Sequence, residues 1–367
     1  MAGENIYTRL GIRPVINAIG VVTILGGSIM PPEVMQAMKE AAKFFVPLPE
    51  LQKKAGARIA ELVGVPAAMV TAGCASSITV ATAACIAGGN AEKLSKLLDT
   101  SGMKNEIVQQ KSHLSGYEAQ MQLVGAKIVW VKTREELDRA LNERTAMMFF
   151  LNKGDPDGRI RRLEWIQVGK KHGVPTFCDA ASDVPPAPHL SQYVRDGFDL
   201  VGLSGGKALL GPQCSGLLLG RKDLIEAGLP AISPNDGIGR GMKVGKEEIM
   251  GLLAAIERYL KVDHEAENRE LEARVAHIVQ ELSKIPGVKA QKVVPEIANR
   301  VPHVGLEWND AIQKLTSKQL VQTLQEGDPP IAVLDTEERH LLISVWMMRG
   351  TEHRIVARRL REIFKKR

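Results

Sequence analysis

Apolar and polar positions along the 367 residues change period repeatedly. Short apolar runs of strand length alternate with segments whose apolar residues recur every three to four positions. Strand-like runs fall at 67–71, 106–110, 127–131, 146–151, 176–178, 199–203 and 216–219. Helical patterns fall at 51–63, 78–87, 116–124 and 135–141, and Pro31-Pro32-Glu33 opens a further one. Proline is tolerated in a first helical turn, and Gly64 stops the 51–63 pattern. Such alternation predicts an α/β fold, a mostly parallel sheet covered by helices. Ligands of such sheets bind outside the carboxyl ends of the strands.

A long helical stretch at 246–285 is stopped by Pro286-Gly287. Beyond it, runs at 288–294, 304–307, 332–334 and 341–345 read as a smaller α+β domain. The expected divisions are an N-terminal arm at 1–30, a large domain at 31–260 and a small C-terminal domain at 261–367. The arm is broken by Gly11, Pro14, Gly20 and Gly26-Gly27, and reads as extended chain packing on the body or on a partner subunit. The polar connection at 89–105 is either a surface insert or a lid.

Composition changes this picture little. Hydrophobic content of 44% and charged content of 25% are ordinary for globular chains. Aromatics at 4% and 34 glycines suit helices packed closely on a sheet through small residues. The net charge of +6 suits an anionic small molecule as well as a nucleic acid, and part of it sits on a helical stretch at 354–367 that reads as a solvated face. Cys74, Cys85, Cys178 and Cys214 show no paired spacing and read as buried free thiols in a reducing compartment. The first residues lack the basic start and apolar core of a signal peptide, and no apolar run approaches 18 residues. A cytoplasmic chain without a membrane span is expected.

Candidate chemistry sits at strand ends. The run Asp199-Leu-Val-Gly-Leu-Ser-Gly-Gly-Lys207 delivers one lysine behind two glycines. A lysine in an apolar setting can lose its proton and attack a carbonyl. The strand at 176–178 runs into Asp179. A Schiff-base lysine and a strand-end acid are what pyridoxal phosphate needs, because the acid keeps the pyridine nitrogen protonated. The turn Thr71-Ala-Gly-Cys-Ala-Ser-Ser77 joins a strand to a helix, and Ser76, Ser77 and the amides around Ala75 suit a phosphate. A plain serine cap accounts for that turn equally well. His113 follows another strand and suits stacking on a pyridine ring, with Tyr117 as the alternative; a surface loop histidine has the same local pattern. Ser204 can add a hydroxyl to the phosphate. Each feature alone is weak; their order in the chain is what points to the cofactor.

Competing motifs are absent from the sequence. There is no GxxxxGK[ST], and Gly237-Ile-Gly-Arg-Gly241 has no strand before it. The eight histidines form no HExxH. Trp130, Trp165, Trp308 and Trp346 are too scattered to form a stacking platform for nucleic acid.

These segments resemble fold-type I pyridoxal-phosphate enzymes of the selenocysteine synthase-like group. The resemblance is carried by Val15-Ile-Asn-Ala-Ile-Gly20, by the stretch from Asp199 through Lys207 to Gln213, and by Arg240-Gly-Met-Lys243-Val-Gly-Lys246. Met103-Lys-Asn-Glu-Ile-Val-Gln-Gln-Lys-Ser-His113 is similar to the D-glucosaminate-6-phosphate ammonia lyase-type branch. The resemblance implies Lys207 as the Schiff-base lysine, Asp179 as the pyridinium partner and His113 as the ring-stacking residue. It places Ala75, Ser76 and Ser204 at the phosphate. It also implies a homodimer or larger homo-oligomer with sites at the interface, which makes Arg240 and Lys243 candidates to reach an anionic substrate. A solvated basic turn accounts for those two equally. Arg349 is implied at the substrate carboxylate, and a helix-start loop is the other reading of its segment.

The matching arm begins almost at residue 1, so the tRNA-engaging N-terminal domain of selenocysteine synthase is expected to be missing. The expected activity is a pyridoxal-phosphate lyase acting on a β-substituted, β-hydroxy amino acid or amino sugar acid. It would release a 2-oxo acid and ammonia, with no nucleic acid or membrane partner. Racemase, aldolase or aminotransferase chemistry uses the same residues. A transferase acting on aminoacyl-tRNA and a non-catalytic cofactor-fold binding protein are the readings from other classes.

Overall fold

The structure is a computed structural model that describes residues 4–334 and 340–365, the side chains of 310 and 311 excepted. In chain order the strands are β1 (Ile16–Asn17), β2 (Ala67–Thr71), β3 (Glu106–Gln110), β4 (Lys127–Val131), β5 (Thr145–Leu151), β6 (Thr176–Asp179), β7 (Leu200–Ser204), β8 (Gly216–Gly220), β9 (Val288–Val293), β10 (His303–Trp308), β11 (Ile331–Ala332) and β12 (His340–Ser344). They belong to two compact units. One gathers residues 30–262 with 297–299, and the other gathers the remaining described residues.

The first unit is built on a seven-stranded sheet ordered β2-β8-β7-β6-β5-β3-β4. β8 runs antiparallel to both neighbours, β2 and β7. The remaining adjacent pairs are parallel. The carboxyl ends of β2, β3, β5, β6 and β7 therefore open on one edge. Strands covered on both faces are apolar along their length rather than alternating, and β5 and β8 show this, with all their residues buried except Leu151. Ile78, Ile107, Phe149, Phe177 and Leu218 share the core of this unit.

The helix Cys74–Ala87 lies almost entirely buried and is made mostly of small side chains. Close approach to the sheet is what those residues permit. A methyl group at Gly216 would sit 2.5 Å from the Gly73 carbonyl carbon, and one at Gly202 would meet Cys74 Sγ at 2.8 Å. The contact at Gly216 is with backbone, which cannot move aside as a long side chain can, and the one at Gly202 is with buried side chains, so glycine at both positions lets the strand-to-helix turn settle against β7 and β8.

The second unit carries the antiparallel sheet β12-β10-β9. Leu271, Val275, Trp308, Leu360 and Phe364 share its core. The N-terminal segment, expected to be irregular, contributes β1, which pairs in parallel with β11. Ile16 and Ala18 are buried in the same core, and the Ala18 carbonyl accepts the Ser344 N–H at 2.9 Å.

Three local expectations are corrected and one pair of alternatives is narrowed. The 246–285 stretch is two helices, Lys246–Tyr259 and His264–Leu282. The Asp263 carboxylate accepts the Ala266 N–H and starts the second helix as its N-cap. The connection at 89–105, for which the sequence leaves a surface insert and a lid both open, packs as an insert. It follows the carboxyl end of the Cys74–Ala87 helix, carries the short helix Ala91–Ser95, and buries Leu94 and Thr100. Cys214, expected to be buried, is exposed in the turn before β8, and Cys85 is half-buried. The strand expected at 332–334 is the short β11. Among the described residues no helix is long and apolar enough to cross a membrane.

Candidate active site

Lys207 leaves the carboxyl end of β7 through Gly205 and Gly206. The turn is closed by backbone bonds: Gly205 N–H donates to the Ser215 carbonyl, and Leu210 N–H to the Lys207 carbonyl, each at 2.9 Å. Leu210 adopts φ 56°, a left-handed conformation unfavourable for a branched side chain. The turn is thus held in one shape at a local conformational cost. Lys207 is half-buried, and its Nζ donates to Ser182 Oγ at 2.6 Å.

Asp179 ends β6, the neighbour of β7, and is 4% exposed. Its Oδ1 accepts the Ala181 N–H at 3.0 Å and the Cys74 thiol at 3.5 Å. Burial pushes this carboxyl up, while the Ala181 amide, the Cys74 thiol and the Lys207 charge pull it partly back. Asp179 and Lys207 line one cavity of about 440 Å³, together with Ser182, Asp183, Tyr117 and Lys153 among others. That volume suits a cofactor-sized ligand. Among the described residues no cluster of three or more His, Cys, Asp or Glu is placed to hold a metal.

The turn after β2 lies against this pair, because Cys74, the first residue of the helix, contacts Asp179. The first-turn amides of a helix have no partner within it. Ser76 is buried and its Oγ has no partner. An orphaned hydroxyl beside free amides at a helix start fits an anion. Ala75 is half-buried at the same turn. Ser77 corrects the sequence reading. Its hydroxyl lies 2.8 Å from Thr71 Oγ1 and donates to the Leu217 carbonyl at 3.1 Å, so it is spent on the sheet side of the helix. Ser204 is half-buried at the end of β7, paired with Gly216.

His113, expected at the face of a ring, is buried instead. Its ring meets Phe150 edge-on at 4.6 Å, its Nδ1 accepts the Leu151 N–H at 3.3 Å, and Gly154 packs against it. Burial lowers its pKa to about 4, against the opposing pull of Asp155, so the ring is a neutral packing element. The short helical turn Lys111–His113 points the imidazole inward and leaves Leu114 and Tyr117 on the cavity. Tyr117 is the aromatic that lines the wall.

Arg240 and Lys243 are exposed and do not line the cavity. Arg240 Nε lies 3.4 Å from Asp236, and its Nη1 donates to Ser233 Oγ. Arg349 belongs to the other unit, where its N–H donates to Glu352 at 2.8 Å at the start of the helix Glu352–Lys365. Sequence reasoning missed Ser182, which holds the lysine amine, and Asp183, a second buried carboxyl on the wall. The signal was the run Asp179-Ala-Ala-Ser-Asp183, two acids and a hydroxyl within five residues of a strand end.

Comparison with known proteins shows a match over residues 15–336 to the family described as L-seryl-tRNA selenium transferase. The chain is 34% identical over 342 residues to a 5'-C-glycyluridine monooxygenase-decarboxylase from Streptomyces sp, covering 90% of this chain and 84% of that protein. It is 32% identical over 335 residues to the D-glucosaminate-6-phosphate ammonia lyase of Salmonella typhimurium, covering 88% of each. A solved structure of D-glucosaminate-6-phosphate ammonia-lyase matches it with a TM-score of 0.86 at 30% identity, covering 99% of each chain.

Proposed function

This chain belongs to the L-seryl-tRNA selenium transferase family, and we propose that it is a pyridoxal-phosphate-dependent lyase acting on a β-hydroxy amino acid or amino sugar acid. The fold is that of fold-type I pyridoxal-phosphate enzymes. The observation that carries the reading is Lys207 Nζ, held on Ser182 in the cavity whose wall includes the buried Asp179. When bound, pyridoxal phosphate supplies a carbonyl that condenses with amines and a ring that accepts the electron pair left at Cα.

The chain's own groups do the rest. Ser182 orients the Lys207 amine, and Lys207 Nζ takes the α-proton. Asp179 holds positive charge opposite itself, which offsets the cost of burying its carboxylate. Ser76 and the first-turn amides of the Cys74–Ala87 helix hold the phosphate, and Tyr117 covers one side of the cavity. The substrate loses the elements of water, a proton from Cα and the hydroxyl from Cβ, and the released unsaturated amine is hydrolysed to a 2-oxo acid and ammonia.

Two relatives of similar identity carry different reactions in their names, an ammonia lyase and a monooxygenase-decarboxylase. The full-length match to the ammonia-lyase structure favours elimination. The test is a panel of β-hydroxy amino acids and amino sugar acids, with ammonia, 2-oxo acid, carbon dioxide and dissolved oxygen followed together. Equal ammonia and 2-oxo acid without oxygen uptake is the expected result. Oxygen-dependent release of carbon dioxide, or exchange at Cα with no elimination, overturns it.

The chain also assembles, in this reading, as a homodimer or larger homo-oligomer. Its support is an exposed apolar tip, Phe44-Phe45-Val46, joining the helices Pro32–Ala41 and Leu48–Val63. Phe45 is fully exposed, and adjacent large apolar side chains left in water are covered more often than not by a partner. Light scattering at micromolar concentration is expected to return at least twice the mass of one chain. A single-chain mass there counts against assembly.

A further inference from the structure

Elimination of a hydroxyl group needs two proton movements, one from Cα and one to the departing oxygen. Lys207 accounts for the first. Hydroxide is a poor leaving group, so a donor at Cβ is required. The cavity wall offers few groups able to give a proton near neutral pH. Serine hydroxyls hold theirs too tightly, and Asp157 is exposed to water rather than enclosed with Lys207.

We propose that Asp183 is a catalytic general acid, whose carboxyl gives its proton to the β-oxygen as the Cβ–O bond breaks. The inference rests on the lyase reading. Asp183 lies on the same wall as Lys207 and Asp179 and is 2% exposed. Its Oδ2 accepts the Asn152 amide at 2.9 Å. That amide is oriented from behind, because Arg162 donates to Asn152 Oδ1 at 3.3 Å while its guanidinium covers the Tyr193 ring at 5.1 Å. Asn152 also donates to the Tyr193 hydroxyl at 3.0 Å, and that hydroxyl lies 3.3 Å from Nδ1 of the half-buried His189. His189 Nδ1 also lies 2.8 Å from the Asp183 carbonyl.

The charged and titratable groups around Asp183 are Asp179, Lys207, Tyr193, Arg162, His189 and Cys178. Burial pushes its carboxyl up to about 7; the Asn152 amide, Lys207 and Tyr193 oppose that rise, and Asp179 adds to it. Two carboxyls four residues apart thus take opposite roles, Asp179 as the fixed charge and Asp183 as the proton donor. The step balances. The pair from the Cα–H bond forms the new C–C π bond, the Cβ–O pair leaves with oxygen, and oxygen takes the Asp183 proton to become water. The α-proton stays on Lys207 until solvent removes it, and Asp183 regains its own from solvent through His189 and Tyr193.

The test compares full-length holoenzyme and Asp183→Asn on a β-hydroxy substrate and its β-chloro analogue, since chloride leaves without a proton. Hydroxyl elimination is expected to fall about 10²-fold or more, and chloride elimination by less than about 10-fold. Equal loss on both substrates overturns the proposal and leaves Lys207 carrying both protons. If Asp183→Asn does not take up cofactor, Tyr193→Phe is read the same way, and equal slowing again overturns it. Wild-type protein that eliminates neither group sinks the lyase reading instead. A separate measurement then addresses Asp183 alone. Cofactor-free wild type is expected to show a protonated-carboxyl infrared band that titrates near pH 7 and is missing from Asp183→Asn. No such band overturns the assignment of a proton to Asp183.

Discussion

Replacing Lys207 with alanine is expected to lower turnover by about 10²–10⁴-fold, the range for loss of a general base, and to end covalent capture of the cofactor. Wild-type chain mixed with pyridoxal phosphate should acquire an absorbance band near the visible edge. Borohydride treatment should then leave the cofactor's mass on the peptide containing Lys207. Lys207→Ala should show neither. The physical reason is that one amine serves two purposes and the fold offers no substitute. Gly205 and Gly206 deliver this side chain alone from β7, and Ser182 Oγ accepts from its Nζ at 2.6 Å. Lys153, the other amine on the wall, is exposed in the turn after β5. Small primary amines added to the medium should restore part of the activity, because they replace the base but not its placement. A variant that keeps the band and the labelled peptide would show that another residue holds the cofactor.

The second large effect is expected at Asp179, and it has opposite signs for activity and stability. Asp179→Asn keeps an oxygen for the Ala181 N–H but removes the buried negative charge. Loss of one preorganised electrostatic partner costs roughly 10²–10³-fold in rate, and cofactor affinity should fall with it. Without cofactor the sign reverses. Burial holds the folded carboxyl above its ordinary 3.8, so the native state binds more protons than the unfolded chain between the two values. Stability of the cofactor-free wild type therefore falls as pH rises through that window. An amide at 179 does not titrate. Thermal melts without cofactor should show Asp179→Asn more stable than wild type at pH 8, with the gap narrowing at pH 4. If the variant is the less stable of the two at pH 8, the buried charge is not a cost in this fold.

The two effects share one cause. A carboxylate kept away from water is costly until a cation meets it. The site holds Asp179 where Lys207 is close enough to favour its charge, yet Lys207 is bonded to Ser182. The fold leaves room on that acid for a positive partner supplied from outside the chain.

How much of this was legible in the sequence follows from how local each signal is. The parallel sheet could be read because strands buried on both faces must be apolar along their length, and the helices between them keep their own period. Lys207 and Asp179 could be singled out because each follows directly on such a run. In a parallel sheet, strand ends share an edge whatever the details of packing. Chain order alone thus predicts that the two residues face the same space, and the structure brings them to one cavity.

Residues a few positions beyond a strand end were decided by tertiary packing. His113 and Tyr117 stand four apart in one loop, and either is a plausible partner for a ring. The short turn at Lys111–His113 buries the imidazole against Phe150 and leaves the phenol on the wall. Ser76 and Ser77 are equivalent in sequence, yet about 100° of helix rotation turns Ser77 toward Thr71 and the Leu217 carbonyl while the Ser76 hydroxyl stays unpaired. Asp183 shows no periodic signal; its burial and partners depend on Asn152, Arg162 and Tyr193, which lie 10 to 31 residues away in the sequence. The sequence by itself determined the sheet, the lysine and the strand-end acid, because strand period and small-residue turns act over a few residues. Only the tertiary structure decided which neighbours of that pair face the cavity, because that choice belongs to contacts between segments distant along the chain.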